Sequence, residues 1–425
     1  MGGPCVVVRE AREMSTEELD GPEVHRFRLT ARDWLRSNMT RSEQAEDGTY
    51  RQRTQPRSDE SRVAHARQLQ ARLYDAGYAG LTYPAEYGGA GLSPDHERAF
   101  FEEATAYDMP THVFAVSLNI LGKTLLEFGS SEQKRRHLPR MLRGEEIWLQ
   151  LLSEPTGGSD LAGLVSNASR DGDTYILNGQ KTWSTGAGFA DFAMCPARTR
   201  WDVPKHSGIS MFIIDLRLPG IEIRPIKQIN GESDFCEDFL TDVMVPADCM
   251  IGKENDGWTV VRGLLEIEHE WVGRTGGVYT PRSDVDDLVA LLKRRGLEAD
   301  DGARRQVAAI LVLQSVQRAL AIRVGQGIAD GDLVPAYGGL LKLGNDELRQ
   351  RRSETALILA GSSGIAWEPG AFGEEYTAVY LQARSASIAG GTAEIQRNNV
   401  SERALALPRE PAVDRDRPFS EVPRN

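Results

Sequence analysis

The sequence predicts an α+β protein of several domains, with helical segments first and last and short β-strands between them. The length of 425 residues suits about three domains. Apolar residues recur at helical spacing on both sides of a central region, where β-branched runs alternate with turn residues. A doubly wound sheet is excluded because helices and strands are segregated and no complete GxGxxG fingerprint occurs.

Composition describes an ordinary globular chain and excludes several partners. Asp and Glu number 62 against 50 Lys and Arg, so the net charge of -12 argues against a nucleic-acid partner. The 4 cysteines show no CxxC spacing, which suits a reducing compartment such as the cytoplasm. The longest unbroken apolar run, residues 307–313, is far shorter than the ~20 residues of a membrane helix. We therefore expect a cytoplasmic protein without a membrane span.

Residues 22–146 are expected to form an N-terminal helical domain, after a tail over residues 1–21. Ser93 and Pro94 are typical N-cap and first-turn residues, and they predict a helix that runs from there through Glu103. Ser130-Ser-Glu-Gln133 has the pattern of a capping box, which predicts a helix continuing through residues 134–142. Both patterns lie within long charged-apolar stretches that are typical of helices.

Residues 147–255 are predicted to form a middle β domain, either a sandwich or a barrel. Strands are expected at residues 173–178, 209–215, 221–226 and 239–245, with Gly, Pro and Asp between them. Helical signals return over residues 256–410, most clearly at 307–328 and 345–358. A second tail is expected over residues 411–425.

The most informative segment is a predicted helix over residues 257–273. An apolar stripe at helical spacing comprises Val261, Leu264, Leu265, Trp271 and Val272. Glu268 lies in the middle of this stripe. Burial disfavours a charged carboxylate, so its pKa should rise toward the range of a general base. The alternative is a structural ion pair with a buried Arg or Lys.

Metal chemistry in this helix is not supported. Glu266-x-x-His269 resembles half of a di-iron motif, but the sequence has no second copy. His269-Glu270 begins like HExxH, but Gly273 occupies the position of the second histidine. No metal ligands are therefore predicted.

Two glycine-rich segments could present backbone N–H groups to an anion. Ser153-Glu-Pro-Thr-Gly-Gly-Ser159-Asp160 is a hydroxyl-bearing loop beside the predicted strands. Ser387-Ile-Ala-Gly-Gly-Thr392 is a Gly-Gly turn that leads into a helix capped by Thr392. A plain turn and a plainly capped helix are the alternatives at these two places.

Five motifs, in this order, resemble those of the acyl-CoA dehydrogenase family. They are Tyr83-Pro-Ala-Glu-Tyr-Gly-Gly-Ala-Gly-Leu92, Gly129-Ser-Ser-Glu-Gln-Lys-Arg-Arg-His-Leu-Pro139, Leu152-Ser-Glu-Pro-Thr-Gly-Gly-Ser-Asp160, Leu177-Asn-Gly-Gln-Lys-Thr-Trp-Ser-Thr185 and Ala389-Gly-Gly-Thr-Ala-Glu-Ile-Gln-Arg397. The resemblance implies a helical N-terminal domain, a middle β-barrel and a C-terminal four-helix bundle, usually in a tetramer. It also implies FAD-dependent formation of a trans double bond between Cα and Cβ of an acyl-CoA.

Further implications of the resemblance concern individual residues. Those expected to contact FAD are Leu152, Ser153, Ser159, Trp183, Thr185, Thr392 and Glu394. Those expected along the acyl-CoA path are Ser159, Leu265, Glu266 and His269. Thr185 would lie near flavin N5, and Trp183 beside the flavin ring.

The expected base differs from that of many family members, which carry a Glu immediately before the Gly-Thr pair. Gly390 occupies that position here. A smaller branch, including isovaleryl- and long-chain-type enzymes, takes its base from the helix that contains Glu268. The resemblance thus implies that Glu268 removes the α-proton, that the β-hydride moves to N5, and that the Gly390 N–H stabilises the enolate.

Two motifs of the family are altered. The Arg-x-x-Phe-Gly stretch is absent, so Arg294, Arg295, Arg304 and Arg305 are its candidate replacements, and the Gln-x-x-Gly-Gly-x-Gly motif is reduced to Leu359-Ala-Gly-Ser-Ser-Gly364. The leading expectation is a dehydrogenase that passes electrons to an electron-transfer flavoprotein. The alternatives are an acyl-CoA oxidase or flavin monooxygenase that uses O2, and a non-catalytic partner subunit. Homotetramer and heterotetramer both stay open.

Overall fold

A computed structural model describes residues 20–41, 60–275, 285–368, 370–412 and 414–423. The expected N-terminal tail lies almost wholly outside these residues. The first described helix begins at Pro22.

The N-terminal part of the chain is helical, as predicted. Its helices are α1 (Pro22–Asn38), α2 (Glu60–Asp75), α3 (Pro94–Ala104), α4 (Thr111–Val116), α5 (Gly122–Phe128) and α6 (Ser131–Arg143). The capping box at Ser130 is confirmed, because its Oγ accepts from Gln133 N at 3.1 Å and its N donates to Gln133 Oε1 at 2.9 Å. Ser93 does occupy the N-cap of α3, but its hydroxyl contacts His96 Nδ1 at 2.7 Å instead of a backbone N–H.

The middle of the chain forms an eight-stranded sheet. Its strands are β1 (Trp148–Gln150), β2 (Asn167–Asp171), β3 (Thr174–Thr185), β4 (Phe192–Arg198), β5 (Ile209–Asp215), β6 (Ile221–Ile226), β7 (Phe235–Pro246) and β8 (Met250–Ile251). The order is β6-β7-β3-β2-β4-β5-β8, and β1 pairs in parallel with β4. The long pair β3–β7 is antiparallel and contains two register shifts. One shift lies between Thr182 and Ser184, inside a motif that the sequence singled out.

The C-terminal part is helical again. Its helices are α7 (Gly257–Thr275), α8 (Val285–Arg294), α9 (Asp301–Ala329), α10 (Gly338–Ala360), α11 (Glu374–Ala386) and α12 (Ala393–Asn399). The four longest are α7, α9, α10 and α11, and α10 packs against all the others. This arrangement agrees with the expected bundle.

Helix α7 is where the three parts of the chain meet. The side chains of Val261 and Leu264 are fully buried in one apolar core with Leu125 of α5 and with Met211 and Ile213 of β5. This core includes residues from all three parts of the chain. A side chain on the inner face of α7 is therefore packed against both the N-terminal helices and the middle sheet.

The sequence was expected to contain no segment that could span a membrane, and α9 departs from that expectation. By length and composition this helix could cross a bilayer, and only 17% of its most apolar window is buried. The length of unbroken apolar runs does not reveal this helix, because Gln and Ser residues interrupt its apolar residues. In the structure α9 packs against α8 and α10, with Val307, Ile310 and Val324 buried. Its other face is exposed.

The C-terminal tail docks on the middle sheet. Phe419 is only 2% exposed, and the Arg198 guanidinium carbon lies 3.8 Å from its ring centroid. Its backbone N donates to Val203 O at 2.8 Å, and Ser420 N donates to Trp201 O at 2.9 Å. Buried aromatic contact and backbone pairing thus fix residues that the sequence assigned to a tail.

Replacing the anchor Phe419→Ala should release this segment. We expect a local loss of about 3–5 kcal/mol, because a buried aromatic side chain is removed. Limited proteolysis with mass spectrometry should then detect cleavage beyond residue 410 that the wild type resists. The control is Phe101→Ala, since Phe101 is 43% exposed. Equal protection of the two variants would contradict the anchoring role.

Candidate active site

Glu268 lies on the inner face of α7, beyond the buried Leu264. Its carboxylate faces the middle sheet, where Gln150 Nε2 of β1 donates to Glu268 Oε2 at 3.4 Å. Burial raises the pKa of Glu268, whereas the neighbouring His269 and the Gln150 hydrogen bond act in the opposite direction. Burial prevails, so the pKa of this carboxylate is raised above its ordinary value.

Two glycines allow α7 to occupy this position. A Cβ on Gly257 would approach the Ser210 backbone to 2.6 Å, and one on Gly263 would lie 2.3 Å from the Phe128 ring. Only glycine permits such close approach to β5 and α5. The carboxylate of Glu268 is therefore held at a fixed distance from the sheet by backbone contacts at two places.

The glycine turn before α12 reaches the same point of α7. Gly390 O accepts from Gln396 Nε2 at 2.8 Å and from His269 Nε2 at 3.2 Å. Gly390 and Gly391 have φ of 66° and 84°, the left-handed region that favours glycine. The Gly390 N–H makes no hydrogen bond within the described part of the chain. It is thus available to a substrate oxygen.

Adjacent residues of α7 therefore contact different domains. Glu268 contacts β1 through Gln150, and His269 contacts the C-terminal turn through Gly390. A carboxylate with a raised pKa and an unused N–H group are thereby brought to one junction. A carboxylate of raised pKa is the type of group that abstracts a proton, and a free N–H is the type of group that stabilises an oxyanion.

Gln150 was missed by the sequence reasoning. Its Nε2 contacts Glu268, while its Oε1 is buried without a hydrogen-bond partner in the described structure. A signal was available, because Gln150 is the only polar residue between Ile147 and Leu152. Its amide can donate to a carboxylate, and after a flip it can accept from a carboxylic acid. Gln150 could therefore serve Glu268 in both protonation states.

Strand β3 carries the residues expected at the flavin ring. Trp183 is 59% exposed and has a φ of 64°. This left-handed conformation is rare for a bulky residue and lies at the register shift with β7. Thr185 is exposed two residues further on. A large aromatic face and a hydroxyl thus project from one bulged strand.

The Ser153 loop is tied to β3 by a buried ion pair. Lys181 Nζ lies 2.8 Å from Glu154 Oε1, and neither side chain is more than 2% exposed. Glu154 also accepts from Val165 N at 2.6 Å and Ser166 N at 3.1 Å. Burial acts to raise the pKa of Glu154, but the Lys181 charge and these hydrogen bonds outweigh it, so the pKa is lowered. Removing one partner of such a pair costs about 3–5 kcal/mol.

The same loop places the other residues expected to contact FAD. Thr182 N donates to Ser153 O at 2.9 Å, which joins the loop directly to the Trp183 bulge. Leu152 is buried in the core beside α7, whereas Ser159 is exposed at the far end of the loop. Ser153 and Ser159 therefore lie at opposite ends of the loop, and Leu152 lies in the core beside it.

The remaining expected residues lie around the C-terminal turn. Thr392 caps α12 by accepting from Ile395 N at 3.3 Å, and Glu394 is exposed in the first turn. On α7, Leu265 is partly buried and Glu266 is exposed. No hydrogen bond within the described residues joins Thr392 or Glu394 to the Ser153 loop.

One candidate replacement for the absent Arg-x-x-Phe-Gly stretch lies beside the reduced glycine motif. A Cβ placed on Gly361, within the reduced glycine motif, would be 3.1 Å from Arg295 Nη2. Of the four candidate arginines, Arg295 is therefore the one that the structure brings to this motif.

Comparison with known proteins shows the family to which the chain belongs. Models of the acyl-CoA dehydrogenase N-terminal, middle and C-terminal domains match residues 22–145, 150–243 and 255–405. The acyl-CoA dehydrogenase IpdE1 of Mycobacterium tuberculosis is 34% identical, over 91% of this chain and 99% of that protein. This chain belongs to the acyl-CoA dehydrogenase family. IpdE1 of Mycolicibacterium smegmatis is 36% identical over the same shares of the two chains.

Solved acyl-CoA dehydrogenases share the three-domain fold. One named "Tcur3481-Tcur3483 steroid ACAD" superposes with a TM-score of 0.74 at 25% identity, over 92% of this chain and 99% of that one. An acyl-CoA dehydrogenase from Geobacillus kaustophilus gives a TM-score of 0.70 at 22% identity, over 90% of this chain and 98% of that one. The chain is accordingly an oxidoreductase that acts on acyl-CoA.

The hydrogen bond between Gln150 and Glu268 can be tested through the pH dependence of acyl-CoA dehydrogenation. Gln150→Leu removes a donor that favours the carboxylate, so the pKa of Glu268 should rise further. Because the base must be ionised, the acid limb of the rate profile should move to higher pH. Activity should recover toward the wild-type value in alkaline solution. Gln68→Leu, at an exposed site on α2, is the control. An unshifted acid limb in Gln150→Leu would contradict the contact.

Proposed function

We propose that the protein catalyses FAD-dependent α,β-dehydrogenation of an acyl-CoA, with Glu268 as the base. The observation that carries this proposal is the partly buried carboxylate of Glu268, which Gln150 contacts and which adjoins His269, the residue that binds the Gly390 turn. Gly390 has no side chain at the position where many family members carry their base, and helical spacing places Glu268 in the apolar stripe of α7. Family membership supports the reaction class.

The residues of this chain fit a flavin. The exposed Trp183 ring and Thr185 hydroxyl project from the bulged strand, with Ser153 on the loop bonded to it. Trp183 combines a 59% exposed ring with a left-handed backbone conformation that is rare for a bulky residue, and a flat aromatic ligand would account for both. Leu152, Ser159, Thr392 and Glu394 complete the proposed FAD contacts. FAD, when bound there, supplies the two-electron acceptor for the β C–H bond.

The protein's own groups carry out the proton chemistry. Glu268 takes the α-proton, and the electron pair of the broken Cα–H bond forms the Cα=Cβ bond as the β-hydrogen leaves with its own pair. The Gly390 N–H donates to the thioester oxygen, where negative charge develops. Gln396 and His269 bind the Gly390 carbonyl and so hold the turn that carries this N–H group. Ser159, Leu265, Glu266 and His269 line the proposed acyl-CoA path.

A bulky acyl group is the proposed substrate class. Within the described residues no atom lies within 4 Å of a Cβ built on Gly390, so there is open space beside this turn. A structural neighbour with 25% identity is named a steroid ACAD. Screening short, branched, long and sterol-derived acyl-CoAs for flavin bleaching would test this assignment. Preference for short straight chains would contradict it.

We infer that the protein works as a tetramer in the cytoplasm and passes electrons to an electron-transfer flavoprotein. The exposed face of α9 supports assembly, because it carries Leu311, Val312, Val316 and Ile322, each more than half exposed. An interface of this kind is a better account of the face than a bilayer, since the opposite face of α9 packs within the bundle. The choice between a homotetramer and a heterotetramer follows from the mass of the protein purified alone and with candidate partners.

A non-catalytic subunit is the second candidate function. The reduced glycine motif at 359–364 and the missing Arg-x-x-Phe-Gly stretch favour it. Flavin content of the purified protein separates the two, because a competent enzyme should bind near-stoichiometric FAD and a partner subunit should be colourless. Oxygen consumption during turnover would identify an O2-using relative instead of a dehydrogenase.

Glu268→Gln should abolish flavin reduction without loss of FAD. The expected decrease in the rate of anaerobic bleaching is about 10²- to 10⁴-fold, the range for removal of a general base. Glu270→Gln, two residues further along α7 on an exposed face, is the matched control and should keep the wild-type rate. Bleaching of Glu268→Gln at the wild-type rate would show that another group is the base.

A further inference from the structure

A second buried carboxylate lies behind the proposed flavin site. Asp238 is on β7, where residues alternate between the core and the surface, and it shares the inward face with Cys236 and Leu240. It is 0% exposed. Its Oδ2 accepts from Ser184 Oγ, whereas its Oδ1 is buried with no hydrogen-bond partner in the described structure. Nothing in the dehydrogenation chemistry uses this residue.

The cation opposite Asp238 on β3 is hydrogen-bonded to other groups. Lys181 is the direct partner of Asp238 in the β3–β7 register. Its ammonium nevertheless donates to Glu154 Oε1 at 2.8 Å, to Pro196 O at 2.9 Å and to Leu152 O at 3.4 Å. These three acceptors use all three N–H groups. One buried lysine thus neutralises Glu154 and leaves Asp238 without a counter-ion.

The surroundings of Asp238 favour its neutral form. Burial raises its pKa to about 6, the Ser184 hydrogen bond acts in the opposite direction, and the charge of Glu237 on the same strand adds to the increase. The thiols of Cys195 on β4 and of Cys236 also face it, and burial raises the pKa of both, so they contribute no charge near neutrality. Asp238 therefore gains or loses its proton under mildly acidic conditions.

The proton on Asp238 decides where the Ser184 hydroxyl donates. Ser184 Oγ lies within hydrogen-bond distance of both the Asp238 carboxylate and Cys236 O, the latter at 3.2 Å. A hydroxyl has a single hydrogen to donate. A neutral Asp238 can donate to Ser184 Oγ, which frees the Ser184 hydrogen for Cys236 O, so that Ser184 is bound to β7 at two places. An ionised Asp238 takes that hydrogen for itself, and the bond to Cys236 O is then lost.

Ser184 sits between the two residues expected at the flavin ring. The register shift of β3 against β7 lies between Thr182 and Ser184, and Trp183 in its left-handed conformation is the residue that bulges out. A bulky residue with positive φ persists only where its surroundings hold it. The Ser184 bond to Cys236 O lies directly behind this bulge.

We propose that Asp238 is a positioning residue of the flavin site, which in its neutral form fixes the Trp183 bulge through Ser184 and in its ionised form releases it. FAD should accordingly bind more tightly in mildly acid than in alkaline solution. This inference rests on the proposed FAD site.

The test measures the FAD dissociation constant of the full chain, freed of cofactor, between about pH 5 and pH 8, a range that spans the titration. For the wild type we expect it to rise about three- to tenfold across this range, since one pKa unit of coupling equals a tenfold change in affinity. Asp238→Asn, whose amide can always donate to Ser184, should bind as tightly as the acid form at every pH. Ser184→Ala should bind weakly at every pH.

The control is Glu222→Gln, which changes an exposed carboxylate on β6 that is paired with Arg224 and should keep the wild-type pH profile. If Asp238→Asn also keeps that profile, the proposal is wrong. Asp238→Val, a β-branched replacement that cannot take the Ser184 hydrogen, should leave it for Cys236 O and bind FAD tightly and independently of pH. Binding by this variant that still weakens with rising pH would also overturn the proposal, because another group would then cause the pH dependence.

A second readout separates this inference from the FAD site itself. The pH dependence of Trp183 emission in the cofactor-free protein is obtained as the difference between wild type and Trp183→Phe. It should change through about pH 6 in the wild type, near the pKa of Asp238, and stay constant in Asp238→Asn. Failure to bind FAD at any pH would overturn the cofactor site, and the Trp183 emission would still decide the role of Asp238.

Discussion

The partial burial of one carboxylate at a junction of domains is the constraint on which the site depends. Glu268 can act as a base near neutral pH only if its charged form is disfavoured but still reachable. Packing of α7 against α5 and β5 removes water from the Glu268 carboxylate and raises its pKa. The hydrogen bond from the Gln150 amide limits that increase. Gly257 and Gly263 are needed for the same reason, since a side chain would move α7 away from β5 at the first position and away from α5 at the second.

The same junction brings the oxyanion donor into place. Gln396 and His269 bind the carbonyl of Gly390, so the turn before α12 is oriented by the residue next to the base. A change on α7 would therefore disturb proton abstraction and oxyanion stabilisation together. In the middle sheet, the buried Lys181 influences the part of the site that is expected to bind flavin. It pairs with Glu154 and leaves Asp238 to be neutralised by a proton.

Local patterns predicted the fold and part of the site. The capping box at Ser130, the strand at 209–215 and the helix that begins at Gly257 each depend on neighbours in sequence, and each was found. Glu268 could be singled out because helical spacing alone places it on an apolar stripe. Its role as the base, like the roles of the flavin-contacting residues, stays a prediction.

What the sequence could not supply depends on contacts across long separations. Gln150 is 118 residues from Glu268, and its importance follows only from the approach of β1 to α7. Phe419 was assigned to a tail because its partners, Arg198 and Trp201, lie more than two hundred residues away. The alternation of β7 could have predicted that Asp238 is buried, but not that Lys181 is engaged by Glu154.

Proton abstraction by Glu268 can be measured without any redox step. The holoenzyme is incubated in D2O with an acyl-CoA analogue that carries sulfur in place of the β-carbon, and deuterium incorporation at Cα is followed by mass spectrometry. The wild type should exchange one α-hydrogen, and Glu268→Gln should do so at least about 10²-fold more slowly, as expected for loss of a general base. Equal exchange rates in the two proteins would contradict the assignment of the base.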